Sequence, residues 1–306
     1  MNTPLVSICC ITYNHAAFIR KCLDGFLMQE TTFPIEILIH DDCSTDGTTE
    51  IIQEYAAKYP ELIFPLYEQE NQYQQGKAAE IDFYNYRRAR GKYIAYCEGD
   101  DYWIDPLKLQ KQVDFMEANP DYSVCFHGFE EYDVRSQQTR KIDFSTQVEF
   151  ADGGVDITPA MYLRYSYWGQ PLTMVFRKSM YDFSWYNQYK YYRDTHEIYH
   201  LLRAGKAKFL NFNGGVYVRH EGGIATSLSN RRAVHIAREI YMELYSRNLS
   251  DCLLRDEFLN TMLWTYESTP KKEYYKTCMK YSLTTPFIVL RVILVIFKRS
   301  IKQFLK

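Results

Sequence analysis

Three clusters of polar residues each follow a short apolar segment in the first third of the chain. These clusters are Thr12-Tyr13-Asn14, Asp41-Asp42 and Glu98-Gly99-Asp100-Asp101. Carboxylates repel a diphosphate, but a hard divalent cation can bridge the two through oxygen ligands. The acidic clusters therefore predict a metal-assisted phosphate site. A solvated acidic turn in front of the next helix is the alternative for residues 98–101.

The sequence also excludes two common phosphate-binding loops. No G-x-G-x-x-G follows the first apolar segment, and no G-x-x-x-x-G-K-[ST] occurs anywhere in the 306 residues. A dinucleotide cofactor and an ATPase-type loop are therefore not expected. The formal net charge of -2 gives no electrostatic reason to expect nucleic acid as a partner.

The polar clusters need a scaffold that brings them together, and the first hundred residues provide one. Short apolar runs predict strands at 5–11, 35–39, 62–67 and 93–97, and helical spacing of apolar residues predicts helices at 17–29, 48–58 and 78–90. Alternating strands and helices indicate the α/β class, with a mostly parallel sheet flanked by helices. Ligands bind such sheets at the carboxyl ends of the strands, where all three clusters fall.

The pattern is less regular after residue 103. Asp105 and Pro106 predict an N-cap and first residue for a helix that ends near residue 118. Further predicted elements are strands at 122–126, 173–176 and 216–220 and a helix at 194–204 that Gly205 ends. From residue 231 the pattern is helical only. The predicted domains are residues 1–230, in two parts that meet after residue 103, and an all-helical C-terminal region, 231–306.

Three segments, taken together and in order, resemble a known family. Val6–Asn14, Ile39–Gly47 and Tyr96–Trp103 look like the motifs of family 2 glycosyltransferases with the GT-A fold, and the likeness covers roughly residues 4–228. The resemblance implies inverting transfer of a sugar from a UDP-sugar to an acceptor hydroxyl, with Mn²⁺ or Mg²⁺ as cofactor. It also implies that residues 1–230 are the catalytic domain, with a nucleotide-binding half, 1–103, and an acceptor half, 104–230.

The resemblance also implies roles for individual residues. Thr12 and Tyr13 would hold the uracil ring, the tyrosine by stacking, and Asp42 would accept the hydrogen bond from the pyrimidine N–H. The implied nucleotide-sugar site also contains Asn14, Asp41, Glu98 and Gly99. A turn-capping pair is the alternative for Asp41 and Asp42.

The metal ligands depend on how the acidic motif is aligned. The family motif commonly reads Asp-x-Asp or x-Asp-Asp, and the segment from Glu98 to Asp101 can be aligned either way. We favour Asp101 as the direct metal ligand, with Asp100 facing the sugar or ribose and Glu98 supporting the metal. The resemblance adds His220 as a ligand of the metal or the diphosphate, and a structural histidine at a strand end is the alternative.

Inverting transfer also requires a general base on the acceptor side. Asp194 stands where the family places its catalytic aspartate, and a base of this kind contributes ~10²–10⁴ in rate. Asp194 and Glu197 also have the spacing of a capping box, so an N-cap is the alternative for Asp194.

The C-terminal tail combines apolar and basic residues. Twelve residues, 286–297, contain only Arg291 as a polar residue, and Lys298, Arg299, Lys302 and Lys306 follow. Twelve residues are too few for a bilayer span, which needs about 20. The apolar and basic pattern of the tail instead predicts a helix that lies on an anionic membrane surface. A helix docked on the protein's own core is the alternative.

The location follows from two negative features. Eight cysteines without a C-x-x-C pair, and an N-terminus without a signal peptide, predict a cytoplasmic enzyme, peripheral at the inner face of the cell membrane. We expect a role in bacterial surface polysaccharide synthesis, with a saccharide or lipid-linked saccharide acceptor.

Two rival functions share some of these features. A sugar nucleotidyltransferase has the same sheet architecture, but it would need a glycine-rich basic loop where Thr12-Tyr13-Asn14 stands. An inactive, membrane-attached sugar-binding protein would not need its acidic residues, and retention of Asp42, Asp100, Asp101 and Asp194 together speaks against it.

Overall fold

The computed structural model of the chain describes residues 3–144, 150, 153–164, 169–185, 188–189, 192–223, 230–248, 251, 252 and 254. The chain divides into two compact units. One contains residues 1–188 and 192–220, and the other contains residues 189–191 and 221–306. The domain boundary at residue 230 stays a prediction.

The first hundred residues of the first unit form the predicted strands and helices. The strands are β1 (Val6–Thr12), β2 (Ile35–Asp41), β3 (Ile63–Tyr67) and β4 (Tyr93–Glu98), and the helices are α1 (Ile19–Leu27), α2 (Thr48–Lys58) and α3 (Ala78–Arg88). Every predicted boundary lies within two residues of the observed one. The four strands are parallel, in the order β3-β2-β1-β4. Because helices cover both faces of such a sheet, β1 and β4 are almost entirely buried.

The rest of the first unit extends this sheet. Its elements are β5 (Tyr102–Trp103), α4 (Lys108–Ala118), β6 (Tyr122–Asp133), β7 (Gln138–Lys141), β8 (Val155–Ile157), α5 (Pro159–Arg164), β9 (Val175–Arg177), α6 (Asp194–Ala204) and β10 (Lys206–Arg219). The sheet order is β3-β2-β1-β4-β9-β6-β10-β5, with β7 beside β6 and β8 beside β10. Strand β9 runs antiparallel to β4 and β6 and so joins the parallel half to the rest. The α/β class with a helix-flanked sheet is confirmed.

Two strands are longer than the sequence predicts. β6 continues to Asp133, and β10 begins at Lys206, ten residues before the predicted start. β10 contains Gly214 and Gly215, which resemble turn residues in the sequence. The parallel pairing with β6 shifts register on either side of Asn213, and a Cβ on Gly215 would lie 2.5 Å from Leu172 Cδ1. The glycines therefore serve an irregular, closely packed strand rather than a turn.

The predicted start of α4 is wrong. The helix begins at Lys108, after Leu107, so Asp105 is not its N-cap and Pro106 is not its first residue. The Asp105 carboxylate accepts the Leu107 N–H at 2.9 Å, and the Asp105 carbonyl accepts the Lys108 N–H at 3.1 Å. These bonds form a separate turn, and α4 starts only after it.

The second unit is described for part of its length. Helix α7 (Asn230–Arg247) is the described part of the predicted all-helical C-terminal region. The tail at 286–306 lies outside the described residues. Within the described ranges, no helix combines the length and the apolar character needed to cross a bilayer.

Candidate active site

The ends of β1 and β4 lie side by side at the carboxyl edge of the sheet. Thr12 is 3% exposed, and a Cβ on Gly99 would lie 2.7 Å from Thr12 Oγ1. The Gly99 N–H also donates to the Ile11 carbonyl at 2.9 Å. Gly99 is therefore required for the loop after β4 to approach β1, and the first and third polar clusters meet there.

Asn14 connects the first two loops. Its N–H donates to Ser44 Oγ at 2.9 Å, and its Oδ1 accepts the Thr45 N–H at 2.8 Å. Its φ of 55° lies in the left-handed region, which asparagine tolerates better than most residues. The neighbouring Tyr13 is partly exposed beside this junction.

The carboxylates of Asp41 and Asp42 both accept hydrogen bonds from other residues of the protein. Asp41 Oδ1 accepts the Ser44 N–H and hydroxyl, at 3.2 and 2.5 Å, and its Oδ2 accepts the Thr49 hydroxyl at 2.5 Å. Asp42 accepts the Gln72 N–H at 2.6 Å and the Tyr73 N–H at 3.0 Å. Burial raises the pKa of the Asp42 carboxyl despite these bonds. The contacts are those of a loop-capping pair, although Asp41 Oδ2 and both Asp42 oxygens each keep a second lone pair for a ligand.

The loop after β4 gathers three carboxylates. One oxygen from each of Glu98, Asp100 and Asp101 lies within 4.8 Å of the others. Asp101 is 3% exposed, and its Oδ1 accepts the Val218 N–H of β10 at 2.8 Å. Burial and the charges of Asp100 and Glu98 raise the pKa of Asp101 well above its ordinary value. A bound cation would relieve this repulsion.

Asp100 faces two histidines. Its Oδ2 lies 2.9 Å from His220 Nε2 and 3.7 Å from His15 Nε2. Burial raises the pKa of Asp100, but the hydrogen bond from His220 and the nearby His15 outweigh it, so the pKa lies below its ordinary value. Asp100 Oδ1 is buried and has no hydrogen-bond partner among the described residues. Asp100 and Asp101 are therefore neighbours with opposite pKa shifts.

His15 lies beside Asp100, and the sequence analysis did not identify it as a candidate. One ligand atom from each of His15, Asp100 and His220 lies within 4.8 Å of the others. Burial lowers the pKa of His15, which favours the neutral imidazole. The available signal was its position, directly after the Thr12-Tyr13-Asn14 cluster.

Asp194 is the first residue of α6, and Arg193 occupies the N-cap position. Asp194 is solvent-exposed, and its Oδ1 accepts the N–H of the adjacent Thr195 at 2.8 Å. Desolvation by the surrounding protein nevertheless raises the pKa of the Asp194 carboxyl, despite the hydrogen bonds from Thr195 and the charge of Arg193. The side chain that reaches back to the N-cap residue is His196, whose Nδ1 accepts the Arg193 N–H at 3.1 Å.

The start of α6 contacts the segment that follows β3. The Arg193 guanidinium donates to the Tyr73 hydroxyl at 3.4 Å, and Asp42 holds the main chain of Tyr73. Asp194 therefore stands beside the segment that Asp42 fixes.

The comparisons with known proteins agree with this architecture. Residues 7–169 match glycosyl transferase family 2. A relative from Bacillus subtilis (strain 168), a putative teichuronic acid biosynthesis glycosyltransferase, TuaG, is 35% identical over 140 residues, which are 46% of this chain and 51% of that protein. The matches span between about a third and a half of the length of the curated relatives.

Two solved structures share the fold. S. aureus TarS 1-349 in complex with UDP-GlcNAc aligns with a TM-score of 0.60 at 18% identity, covering 90% of this chain and 79% of that one. Mannosyltransferase PcManGT from Pyrobaculum calidifontis, in complex with GDP-Man and Mn²⁺, aligns with a TM-score of 0.57 at 15% identity, covering 97% and 87%.

The sheet, with carboxylates at the carboxyl ends of β2 and β4, is that of a GT-A fold protein. The chain belongs to glycosyl transferase family 2.

Proposed function

We propose that this protein is an inverting glycosyltransferase that moves a sugar from a UDP-sugar to an acceptor hydroxyl with the help of a divalent metal. The observation that carries the proposal is the arrangement around Asp100, whose carboxylate faces His220 beside the other two acidic side chains of its loop. This arrangement lies next to the end of β1, where the resemblance to the family implies that the nucleotide binds.

The residues at this edge fit a divalent cation. Asp100 Oδ1 is buried without a partner in the described part of the chain, so it has an unused acceptor. Carboxylate oxygens suit Mg²⁺ and Mn²⁺, and an added imidazole nitrogen favours Mn²⁺. When bound, such a cation would neutralise charge on the departing diphosphate.

We propose Asp100 and His220 as metal ligands, with Asp101 in a supporting position. Asp101 Oδ1 is engaged by the Val218 N–H, two residues before His220. This bond fixes the end of β10 and thereby helps to set His220 against Asp100. Direct ligation by Asp101, which the sequence favours, stays a prediction that substitution can test.

The nucleotide would occupy the edge between the first two loops. Thr12 and Tyr13 would hold the uracil, and Asp42 would accept its N–H through a lone pair that the main chain does not use. Asn14 and Asp41 would act by shaping these loops. Glu98, supporting the metal, and Gly99 would complete the site, Gly99 by allowing the close approach to Thr12.

Asp194 would act as the general base. Asp194 is an exposed residue whose carboxylate is held only by the adjacent Thr195 among the described residues, so it is available to take the proton of an acceptor hydroxyl. The raised pKa of its carboxyl makes Asp194 a stronger base than an ordinary aspartate, which suits this role.

A donor screen tests the proposal. Purified full-length protein is incubated with each UDP-sugar and with GDP-mannose, with Mn²⁺, Mg²⁺ or EDTA, and nucleoside diphosphate release is measured. We expect release from a UDP-sugar that requires the metal. Release from GDP-mannose alone would overturn the donor assignment, and binding of UDP-sugars without any release would favour a sugar-binding protein.

We further propose that the acceptor is a saccharide or lipid-linked saccharide for a bacterial surface polysaccharide, at the inner face of the membrane. Support comes from the relative named for teichuronic acid biosynthesis and from the apolar, basic sequence of 286–306. Each basic residue near an anionic surface contributes about 1 kcal/mol of binding.

Truncation tests the membrane proposal. Removing residues 285–306 should release the protein from anionic vesicles in co-sedimentation and leave UDP binding intact. If the intact protein does not co-sediment with vesicles and the truncated protein unfolds, the tail is a helix docked on the protein's own core.

A further inference from the structure

His15 is a largely buried histidine whose ring nitrogens make no hydrogen bond within the described residues. Its side chain is 17% exposed, and Nδ1 is buried without a partner. His40 shows the ordinary arrangement, because its two ring nitrogens lie 3.1 Å from the Ile81 carbonyl and from Glu68 Oε1. Buried polar groups in proteins are almost always hydrogen-bonded. Neither ring nitrogen of His15 is therefore committed to a described residue by a hydrogen bond, and Nε2, which faces Asp100, is open to a ligand.

The position of His15 Nε2 indicates what that partner is. It lies 3.7 Å from Asp100 Oδ2, which is too long for a hydrogen bond. Ligand atoms of His15, Asp100 and His220 all lie within 4.8 Å of one another. Donor atoms about 2.0–2.3 Å from one metal ion are separated by distances of this order.

The main chain and a neighbouring ring hold His15 in place. The His15 N–H donates to Thr48 Oγ1 at 2.8 Å, and its carbonyl accepts two N–H groups at the start of α1. The Phe18 ring packs 4.6 Å from the His220 ring and 6.5 Å from the His15 ring. Both imidazoles are thus fixed beside Asp100 before any ligand arrives.

We infer that His15 is a direct ligand of the divalent metal, so that two imidazoles and the Asp100 carboxylate bind the same ion. This inference rests on the proposed function, because it concerns the metal that would serve the sugar donor. Imidazole nitrogens favour Mn²⁺, Co²⁺ or Zn²⁺ over Mg²⁺. The protein should therefore prefer transition metals to Mg²⁺.

Counting the imidazoles on bound Mn²⁺ tests the inference without any substitution. Electron spin echo modulation of Mn²⁺ on the full-length protein with UDP should show nitrogens from two imidazoles. Modulation from a single imidazole would overturn the inference and leave the metal-dependent transferase intact. Failure of Mn²⁺ to bind at all would overturn both.

Substitution identifies which histidine supplies each nitrogen. His15→Gln and His220→Gln should each remove one imidazole from the signal and weaken Mn²⁺ binding at least about tenfold, since even indirect ligand partners cost 10–100-fold. His200→Gln is the matched control, because His200 stacks on Trp185 at 4.2 Å, outside this cluster, and should leave the signal unchanged. Circular dichroism checks the folding of each variant. If His15→Gln does not fold, the number of imidazoles on Mn²⁺ in the wild-type protein decides the question.

A contact with the diphosphate would give a different result. If His15 bound phosphate oxygens, His15→Gln would weaken UDP binding equally with and without Mn²⁺, and wild-type Mn²⁺ would carry one imidazole. That pair of results would overturn the inference.

Discussion

Two aspartate pairs follow buried parallel strands of the same sheet, and the protein uses them differently. All four carboxylate oxygens of Asp41 and Asp42 accept hydrogen bonds from the protein, Asp41 from Ser44 and Thr49 and Asp42 from the segment after β3. Asp100 and Asp101 instead face two histidines and one main-chain N–H, and Asp100 Oδ1 has no partner within the described residues. The first pair builds loops, and the second leaves capacity for a cation. The dipeptides are identical, so their surroundings set their roles.

The largest expected effect separates the two pairs by activity. Asp100→Asn should abolish Mn²⁺ binding in calorimetry and reduce sugar transfer by at least ~10²–10³-fold, the usual cost of losing an electrostatic stabiliser of the transition state. Asp41→Asn should instead lower the free energy of unfolding by about 1–3 kcal/mol, because it leaves the hydroxyls of Ser44 and Thr49 poorly paired. Its Mn²⁺ affinity per folded molecule should be unchanged. Equal loss of Mn²⁺ binding in both variants would break the distinction.

The next effect concerns Asp194, whose carboxylate accepts one adjacent N–H. Asp194→Asn should slow transfer by ~10²-fold while UDP affinity and folding stay near wild type, because asparagine keeps the acceptor for Thr195 but cannot take a proton. Asp182→Asn is a matched control, since Asp182 is an exposed aspartate that accepts the Ser184 N–H at 2.8 Å. If Asp194→Asn transfers sugar at the wild-type rate, Asp194 is not the general base and serves only the start of the helix.

The smallest effect is a stability difference with opposite signs in the two regions. In the turn after β2, burial raises the pKa of Asp46, but bonds from Thr48 and Ala16 outweigh it, so the pKa lies below its ordinary value. Asp46 therefore stabilises the fold above its unfolded pKa, and this stability is lost as pH falls through its folded pKa. Asp101 has a raised pKa, so its contribution to the free energy of unfolding has the opposite pH dependence. That contribution is complete below the unfolded pKa of Asp101 and is lost as pH rises through its folded pKa.

These signs predict different pH profiles for two variants in metal-free buffer. Asp101→Asn should raise the Tm at pH 7, by about 2 °C or more, with the gain shrinking as pH falls towards 4. Asp46→Asn should lower the Tm at pH 7, with the loss shrinking on acidification. Thermal unfolding from pH 4 to pH 8 checks both, and profiles of the same sign would contradict the assigned environments.

The sequence predicted the parallel half of the fold well because its signals are local. Apolar runs and helical spacing located β1 through β4 and α1 through α3, and the polar clusters fell at the expected strand ends. The start of α4 was wrong because the Asp105 side chain caps a turn one step earlier.

Long-range contacts were beyond the reach of the sequence. His15 meets Asp100 across 85 residues, and Asp101 meets Val218 across 117. Asp42 likewise meets Gln72 and Tyr73 across 30 and 31 residues. The partners of Asp41, Ser44 and Thr49, are by contrast near it in the chain.

The central claim is that the carboxylate and histidine cluster binds a cation that in turn holds the donor diphosphate. Calorimetry of UDP binding to the full-length protein, in Mn²⁺ and in EDTA, tests it most directly. We expect UDP affinity to collapse in EDTA, because among the described residues carboxylates dominate this edge and would repel an unbridged diphosphate. Equal UDP affinity in Mn²⁺ and in EDTA would contradict the account.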